Sequence, residues 1–247
     1  IGGMPYASTG DPWKCFFARE NMVEKFFPNK DIPMATVEDV LDNPSKEQVI
    51  AKDREKGIGT DDVIAKAKDD RALLYMGVGG CETGKVRTIN PGENITGPLN
   101  GASFVKWSNL HADGSTQHDQ NYSDTDFPVF RLAEIYLTRA EAKYRLNGSQ
   151  EEGLADIKEV QGRAHREIKA TSVDEQTLID EWCREFYMEG RRRSDLVRFG
   201  LFTGSKYLWS FKGGVEKGAG IPANYDIYPI PDDEIKNNTN MSQNPKY

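Results

Sequence analysis

The sequence contains little of what marks disulfide-stabilised, zinc-binding, membrane-spanning or nucleic-acid-binding proteins. Its three cysteines lie far apart and include no C-x-x-C pair, which argues against a disulfide framework and a zinc site. No apolar run approaches the roughly 20 residues that a membrane-spanning helix needs. Lys and Arg total 32 against 39 for Asp and Glu, so the 247-residue chain offers no concentrated positive charge for a phosphate backbone. The composition is therefore that of an acidic globular protein.

Sequence patterns of catalysis are also missing. The chain has no G-x-S-x-G, no H-E-x-x-H and no P-loop. His111 and His118 lie in a polar loop, but their spacing matches no zinc pattern. Asp113 and Asp119 in the same loop could offer oxygen ligands to a structural calcium ion, yet the spacing of an EF-hand is absent. We therefore predict no catalytic residue, no metal site and no cofactor.

The N-terminus does not resemble the start of an exported or targeted protein. Its first residues, Ile1-Gly2-Gly3-Met4-Pro5, have no basic stretch, no apolar segment and no small-residue cleavage site. They are typical of a loop in the middle of a chain. We therefore expect a fragment of a longer protein, for which a missing leader or lipid anchor is uninformative.

The chain has an irregular first region, 1–126, and a regular second region, 127–247. In the first, we predict short helices at 13–27, 36–41, 45–56 and 60–68, and strands at 71–76 and 104–107. Ser45 and Thr60 are the expected caps, without a full capping box at Ser45 because Glu47 follows two residues later. In the second, we predict helices at 130–146, 151–166 and 175–188, a shorter one after Arg191, and a turn capped by Asp232.

The helices at 130–146 and 151–166 are predicted to form an antiparallel hairpin, because only a tight turn at Asn147-Gly148 separates them. Such a hairpin is typical of a tetratricopeptide-like unit, and one unit cannot bury both of its faces. The apolar face is carried by Ala133, Leu137, Ala140 and Tyr144, and broadened by Leu132, Ile135, Tyr136 and Arg139. Small residues that would let the helix axes approach are Ala140, Ala142 and Ala155.

Four blocks follow one another in the second region. The first is Phe127-Pro128-Val129-Phe130-Arg131-Leu132-Ala133-Glu134-Ile135-Tyr136-Leu137 with Arg139-Ala140-Glu141-Ala142. The second has the core Glu185-Phe186-Tyr187-Met188-Glu189-Gly190-Arg191-Arg192-Arg193-Ser194-Asp195-Leu196. The third and fourth are Tyr228-Pro229-Ile230-Pro231 and Gln243-Asn244-Pro245-Lys246-Tyr247. In this order they resemble the C-terminal part of the SusD/RagB family, although Lys246 stands where the family often has glycine and Trp182-Cys183 where arginine-rich sequence is common.

The resemblance implies a mainly α fold: a SusD-like α-α superhelix with one tetratricopeptide-like helical hairpin and loop-rich excursions that contain minor β-strand. We treat 1–247 as a single SusD-like domain, the C-terminal part of a longer chain, in which 1–126 contributes to the ligand face. The missing N-terminal half would be one partner. The other would be a SusC-like TonB-dependent transporter.

The implied function is non-catalytic capture of oligosaccharides or polysaccharides for delivery to that transporter, in polysaccharide utilisation of the Bacteroidetes type. The protein would be an outer-membrane, cell-surface lipoprotein whose anchor is not in this chain. Two alternatives stay open: a SusD/RagB-like protein that captures peptides, and a helical-repeat module that binds proteins.

The charged residues of the blocks are interpreted as scaffold and not as a ligand site. Carboxylates and arginines that meet at helix ends can form ion-pair networks, in which arginine offers bidentate geometry. Buried pairs of this kind usually fix geometry. The residues concerned are Glu134, Glu141, Glu185 and Glu189, with Arg131, Arg139, Arg184, Arg191 and Arg192.

Trp13 is the best candidate for contact with a sugar. A sugar presents apolar faces and hydroxyl edges, which a flat aromatic ring and nearby polar groups can bind. Trp13 follows Asp11-Pro12 in a glycine- and proline-rich stretch, and the predicted ligand-binding residues are Trp13, Tyr6, Lys14 and Arg19. Alternatively, Trp13 anchors its helix to the core. Trp107, beside Lys106 and Asn109, is a second candidate for sugar contact but is more consistent with strand packing, and Trp209 fits either role.

Overall fold

The structure, a computed structural model, describes residues 17–80, 86–89, 101–107, 126–147 and 150–247, together with positions 113, 115 and 118. The chain divides into two compact units, Ile1–Gly190 and Arg191–Tyr247, and each is described by itself. Within the described residues, no helix combines the length and the apolarity that crossing a membrane requires.

Helices provide most of the regular structure in the described part of the first unit. They are α1 (Glu20–Val23), α2 (Lys46–Lys56), α3 (Thr60–Ala67), α4 (Leu132–Asn147), α5 (Gln150–Arg163) and α6 (Glu175–Phe186). Short 3-10 helices lie at Val37–Asp39 and Val78–Gly80. The mainly α class predicted from the sequence is confirmed, and the predicted helices from residue 45 onwards are present with ends shifted by a few residues.

A small antiparallel sheet joins three short strands of this unit: β1 (Phe17–Ala18), β2 (Leu74–Tyr75) and β3 (Ala102–Phe104). Their order is β1-β3-β2, with Phe17 opposite Ser103 and Leu74 opposite Phe104. The sheet therefore brings together segments that are far apart in the chain. The strand predicted at 104–107 begins two residues earlier and ends three residues earlier than predicted.

The helix predicted at 13–27 is wrong over residues 17–19 and 24–27, because α1 covers only Glu20–Val23, and its residues 13–16 lie outside the described part. Phe17 and Ala18 pair with β3, and the extended backbone of Arg19 carries the chain from the strand into α1. A local apolar pattern cannot distinguish a short strand from a helix when a distant strand supplies the hydrogen bonds. Phe26 and Phe27, near the end of the same predicted helix, are buried.

The structure confirms the predicted cap at Ser45 and corrects the one predicted at Thr60. Ser45 accepts a hydrogen bond from the Gln48 backbone N–H at 3.3 Å, and the Gln48 side chain accepts one from the Ser45 N–H at 2.8 Å. The prediction that α2 lacks a full capping box is therefore wrong. Gln48, three residues after Ser45, supplies the returning side chain that Glu47 is one residue too early to supply. At α3 the cap position is Gly59, whose N–H donates to Asp62 at 2.9 Å, while Thr60 is already helical.

The predicted hairpin is present, since α4 and α5 pack against each other along their length. Its close approach lies at Ala140 and Gly153, where a Cβ on the glycine would stand 3.1 Å from the Ala140 carbonyl oxygen. Ala142 and Ala155 are exposed, so the structure does not support their predicted role. Leu132 and Ile135 are exposed, so the prediction that they broaden the apolar face of the hairpin is wrong.

The aromatic stripe of α6 forms core, as its helical spacing predicts. Trp182 is 1% exposed, and its ring lies 5.2 Å from that of Phe186. The indole Nε1 of Trp182 donates to Glu141 of α4 at 3.0 Å, which ties α6 to the hairpin. Cys183 is buried beside them, in agreement with its interpretation as a small buried hydrophobe.

The second unit contains α7 (Arg192–Arg198) and α8 (Asp232–Asn237), with 3-10 helices at Lys212–Gly214 and Ala223–Asp226. Pro231 holds the cap position of α8, so the predicted cap at Asp232 is wrong. The Gln243 side chain donates to the Ile230 carbonyl at 2.8 Å and accepts from the Ile230 N–H at 2.9 Å. These two bonds join the third and fourth sequence blocks.

We expect Gly101→Ala to destabilise the first unit more than Gly190→Ala. Both glycines have positive φ, which costs an L-residue about 1–2 kcal/mol. A Cβ at Gly101 would also stand 2.6 Å from the Ala18 carbonyl oxygen, whereas nothing lies within 4 Å of a Cβ at Gly190. Urea unfolding followed by circular dichroism should therefore show a larger loss for Gly101→Ala. Equal losses in the two variants would contradict the close approach of β1 to Gly101.

Candidate functional site

The guanidinium of Arg71 is the centre of a buried ion-pair network in the first unit. Its Nη1 donates to Glu181 at 2.6 Å and to Glu185 at 3.0 Å, while its Nε and Nη2 donate to the two oxygens of Asp69, both at 2.9 Å. The side chain of Arg71 is 7% exposed, and each of the three carboxylates is at most 1% exposed. Water is thus almost excluded from the network.

Local structure explains how these groups meet. The chain leaves α3 through Lys68 in the left-handed conformation, and the Asp69 side chain then accepts from the Arg71 backbone N–H at 3.1 Å. Glu181 and Glu185 are four residues apart and therefore lie on one face of α6. Arg71 was missed by the sequence analysis because it lies outside the four blocks, 110 residues before Glu181.

A second layer of cations covers the outer side of the network. Arg131 contacts Glu185 and donates to both oxygens of Glu189 at 2.8 Å. Lys106 donates to Glu189 and to the Glu185 carbonyl oxygen, the latter at 2.8 Å. Arg163, at the exposed rim of the network, donates to Glu185 at 2.9 Å. These contacts support the scaffold interpretation of Arg131, Glu185 and Glu189.

Other charged residues of the sequence blocks pair elsewhere. Arg139 donates from Nε to Asp156 of α5 at 2.9 Å, and Glu141 accepts from Arg145 at 2.9 Å. Arg184 joins the network because its Nη2 donates to Glu181 at 2.7 Å. In the second unit, Arg191 lies 3.3 Å from Asp195 and Arg192 donates to Tyr207 at 3.0 Å. The charged residues of the blocks therefore belong to several local ion-pair sets.

The network keeps its carboxylates ionised. Burial alone would raise the pKa of Glu181, but Arg71 and Arg184 outweigh that effect and lower its pKa from 4.5 to about 2. Burial likewise opposes ionisation of Glu185 and Glu189, and the neighbouring cations lower both pKa values. Burial lowers the pKa of Lys106, although Glu189 partly opposes this.

A pocket of about 290 Å³ opens over this second layer. The indole of Trp107 forms one wall and is held by a hydrogen bond from Nε1 to the Met188 carbonyl oxygen at 3.2 Å. The ammonium of Lys106 lies between two rings, 4.6 Å from the centre of Tyr187 and 5.9 Å from that of Trp107. The remaining lining residues are Asp70, Arg71, Leu73, Pro128, Arg131, Arg163, Ala164, Glu185 and Glu189.

The two glutamates of the pocket are unsuited to acid catalysis. A glycosidase needs a carboxylic acid whose pKa is raised so that it can donate a proton. Glu185 and Glu189 in the pocket have lowered pKa values and several cationic partners each. They are suited to hold structure, while the indole face of Trp107 and the rim guanidinium of Arg163 can contact a polar ligand.

The predicted ligand-binding residues are only partly described. Tyr6, Trp13 and Lys14 lie outside the described residues, so their roles stay predictions. Arg19 is half-buried at the cap position of α1, where its carbonyl oxygen accepts from the Met22 N–H at 2.8 Å. Arg19 does not line the pocket around Trp107.

The predicted metal and cofactor content also stays a prediction. Where the structure describes the chain, no group of three or more His, Cys, Asp or Glu side chains is arranged to hold a metal ion. Most of the loop with the candidate calcium ligands, including Asp119 and His111, lies outside that part. Asp113 is described, and its side chain accepts from the Ser115 N–H at 2.9 Å.

Comparisons with known proteins agree with one another. The SusD family model matches residues 3–247. The chain is 50% identical over 253 residues to starch-binding protein SusD of Bacteroides thetaiotaomicron, covering 100% of the chain and 44% of that protein. It is 35% identical over 123 residues to a SusD-like protein of Formosa agariphila, covering 47% of the chain and 23% of that protein.

A solved structure of a SusD superfamily protein from Bacteroides fragilis aligns with a TM-score of 0.48 and 21% identity. The alignment covers 73% of this chain and 38% of that one. The chain thus spans less than half the length of the curated relatives that it matches.

We predict that Arg71→Met lowers the free energy of unfolding by about 3–5 kcal/mol, because it leaves buried carboxylates without their common partner. Lys66→Met is the matched control, since it removes one cation of the exposed Lys66–Asp31 pair in the same unit. It should leave the unfolding free energy unchanged within error. Urea unfolding at neutral pH measures both, and equal effects would contradict a central role for Arg71.

We also predict loss of stability in acid through Glu181. Its pKa in the folded protein, about 2, lies below the ordinary 4.5, so its ionisation stabilises the fold above pH 4.5. That contribution is lost as the pH falls from 4.5 toward 2. In Glu181→Gln the unfolding free energy should be lower at neutral pH and should fall less steeply over this range. Parallel curves for the two proteins would contradict the lowered pKa.

Proposed function

The chain belongs to the SusD family, and on that premise we propose that it captures glycans and does not cleave them. The family match over residues 3–247 confirms the resemblance found in the four sequence blocks. The observation that carries the proposal is the 50% identity, over the whole chain, to a protein named for binding starch. Polymers of glucose are therefore the first ligands to test.

The chemistry of the described pocket supports binding without turnover. Glu185 and Glu189 of the pocket are held ionised by arginine and lysine, so these two acids are unsuited to protonate a glycosidic oxygen. Capture needs only an apolar ring face, polar edge groups and shape complementarity. No covalent step enters the proposed mechanism.

We place the main stacking contact at Trp13, with Tyr6, Lys14 and Arg19 as polar partners for the sugar hydroxyls. The reasoning rests on the sequence: an indole among glycine, proline and charged residues suits an exposed platform. The described pocket at Trp107 is a second surface on the same unit, where an indole is already fixed by a hydrogen bond.

The cellular role belongs to the whole protein. We propose an outer-membrane lipoprotein, exposed at the cell surface, that passes captured oligosaccharides to a SusC-like TonB-dependent transporter. Family membership supports this role. The chain covers 44% of the starch-binding relative, and the anchor and the transporter contact are features of the proposal for the complete protein.

We expect Trp13→Ala to weaken binding of maltoheptaose, a soluble fragment of starch, at least tenfold in calorimetry. Loss of a stacking ring removes both apolar contact area and ring-specific attraction. Phe130→Ala is the matched control, because it deletes another aromatic side chain of the same unit, one that is 79% exposed and does not line the pocket. Its dissociation constant should equal that of the unchanged protein.

Circular dichroism of each variant must show the fold intact. Saturable binding that survives Trp13→Ala would keep the function but move the platform. Binding of peptides with no binding of any glycan would replace the proposal by the peptide-capturing alternative. Release of shorter oligosaccharides during the titration would contradict a non-catalytic role.

A further inference from the structure

Four side chains of the second unit form a column in which a guanidinium lies between aromatic rings. The Arg193 Cζ lies 3.9 Å from the ring centre of Tyr228 and 4.9 Å from that of Phe202. Phe202 in turn stacks on Trp209, with ring centres 5.9 Å apart and an interplanar angle of 27°. We call Tyr228, Arg193, Phe202 and Trp209 the aromatic column.

The inner end of the column is firmly held. Lys212 is 1% exposed, and its ammonium lies 4.6 Å from the ring centre of Trp209 while donating to the Tyr207 carbonyl oxygen at 2.7 Å. Arg193 donates from Nη2 to the Tyr225 carbonyl oxygen at 2.7 Å. The Arg193 guanidinium is thus held by a hydrogen bond, and the Trp209 ring packs against a buried ammonium.

The outer end of the column is held by its backbone. Asn244 donates from its side chain to the Tyr228 carbonyl oxygen at 2.7 Å. Pro229 and Pro231 restrict the chain on the C-terminal side, and the Gln243 side chain binds the residue between them. The Tyr228 ring is therefore preorganised, which reduces the entropy that a ligand would cost on binding.

One face of the Tyr228 ring is open. Tyr228 is 70% exposed although the Arg193 guanidinium covers one ring face, so the exposure comes from the other face and the edge. Two more exposed tyrosine rings lie in this part of the unit, Tyr225 and Tyr247, with centres 6.0 Å apart. The Tyr247 hydroxyl is used for structure, since it donates to the Ile227 carbonyl oxygen at 2.7 Å.

We propose that the outer face of Tyr228 is a stacking position for a sugar ring of a glucose polymer. An exposed ring whose other face is covered by a guanidinium matches a ligand that presents an apolar face. The proposal rests on the glycan capture proposed above and adds a contact in residues 191–247, apart from Trp13.

The test compares maltoheptaose binding by the unchanged protein, Tyr228→Ala and Tyr228→Phe. Ring contacts of this kind contribute enough to change affinity about 2- to 10-fold, so Tyr228→Ala should raise the dissociation constant by that factor. Tyr228→Phe keeps the ring and should stay within about twofold. Both variants should melt at the temperature of the unchanged protein to within a few degrees.

A direct readout uses protein with ¹³C-labelled tyrosine rings. The Tyr228 ring signal is the one absent from Tyr228→Phe, and it should shift during titration with maltoheptaose. Suppose that the unchanged protein and Tyr228→Ala bind maltoheptaose equally well and that this signal does not shift. The proposed contact at Tyr228 is then wrong, while glycan capture stands. If the unchanged protein binds no glycan, both proposals fall. A concentration-dependent dimer that Tyr228→Ala abolishes would overturn the sugar contact in favour of self-association.

Discussion

Much of the first unit depends on the requirement that buried charges be paired. Arg71 places one guanidinium against three carboxylates that are almost fully buried, and each of those carboxylates has a further cationic or amide partner. Removing water from such a group is costly, so the segments that carry the partners must stay together. The turn after α3, the helix α6 and the residues around Lys106 and Arg131 are thereby held in one arrangement.

This pairing also separates scaffold from binding surface. Glu185 and Glu189, which line the pocket, are paired with arginine and lysine and kept ionised, so these two acids neither move protons at neutral pH nor offer free oxygens to a sugar. The surfaces suited to a glycan are rings: Trp107 over the network, Tyr228 at the end of the aromatic column, and Trp13 by prediction. A protein that only captures its ligand can keep a rigid charged interior and bind through a few exposed aromatic side chains.

Patterns that are local in sequence predicted the structure well. The periodicity around Leu137 and Ala140 and the short turn after Asn147 predicted the hairpin, and the spacing of Trp182 and Phe186 predicted core. Features that depend on distant partners were missed. Arg71 is followed by only a short apolar run, and nothing nearby marks Glu181 and Glu185 as its partners. The pairing of Phe17 with Ser103 likewise turns an apparent helix into a strand.

The same limit applies to the site. The arginine-rich second block suggested ion pairs but not which acids they reach, and Trp107 was interpreted as a packing residue because its neighbours in sequence are those of a strand. Its role in the pocket becomes visible only when Met188 and Arg131, from distant segments, are placed beside it. The aromatic column is similar, because Arg193, Phe202 and Tyr228 belong to separate stretches that only the fold brings into contact.

The Glu189→Gln variant tests most directly whether the charged scaffold is separate from the glycan-binding surface. The Glu189 side chain is 5% exposed, lines the pocket and pairs with Lys106 and Arg131. Unfolding free energy and maltoheptaose affinity are measured on the same sample. We predict that the free energy falls by about 1–3 kcal/mol while the dissociation constant stays within twofold. A tenfold weaker affinity at unchanged stability would contradict the account, because the network would then be part of the glycan site.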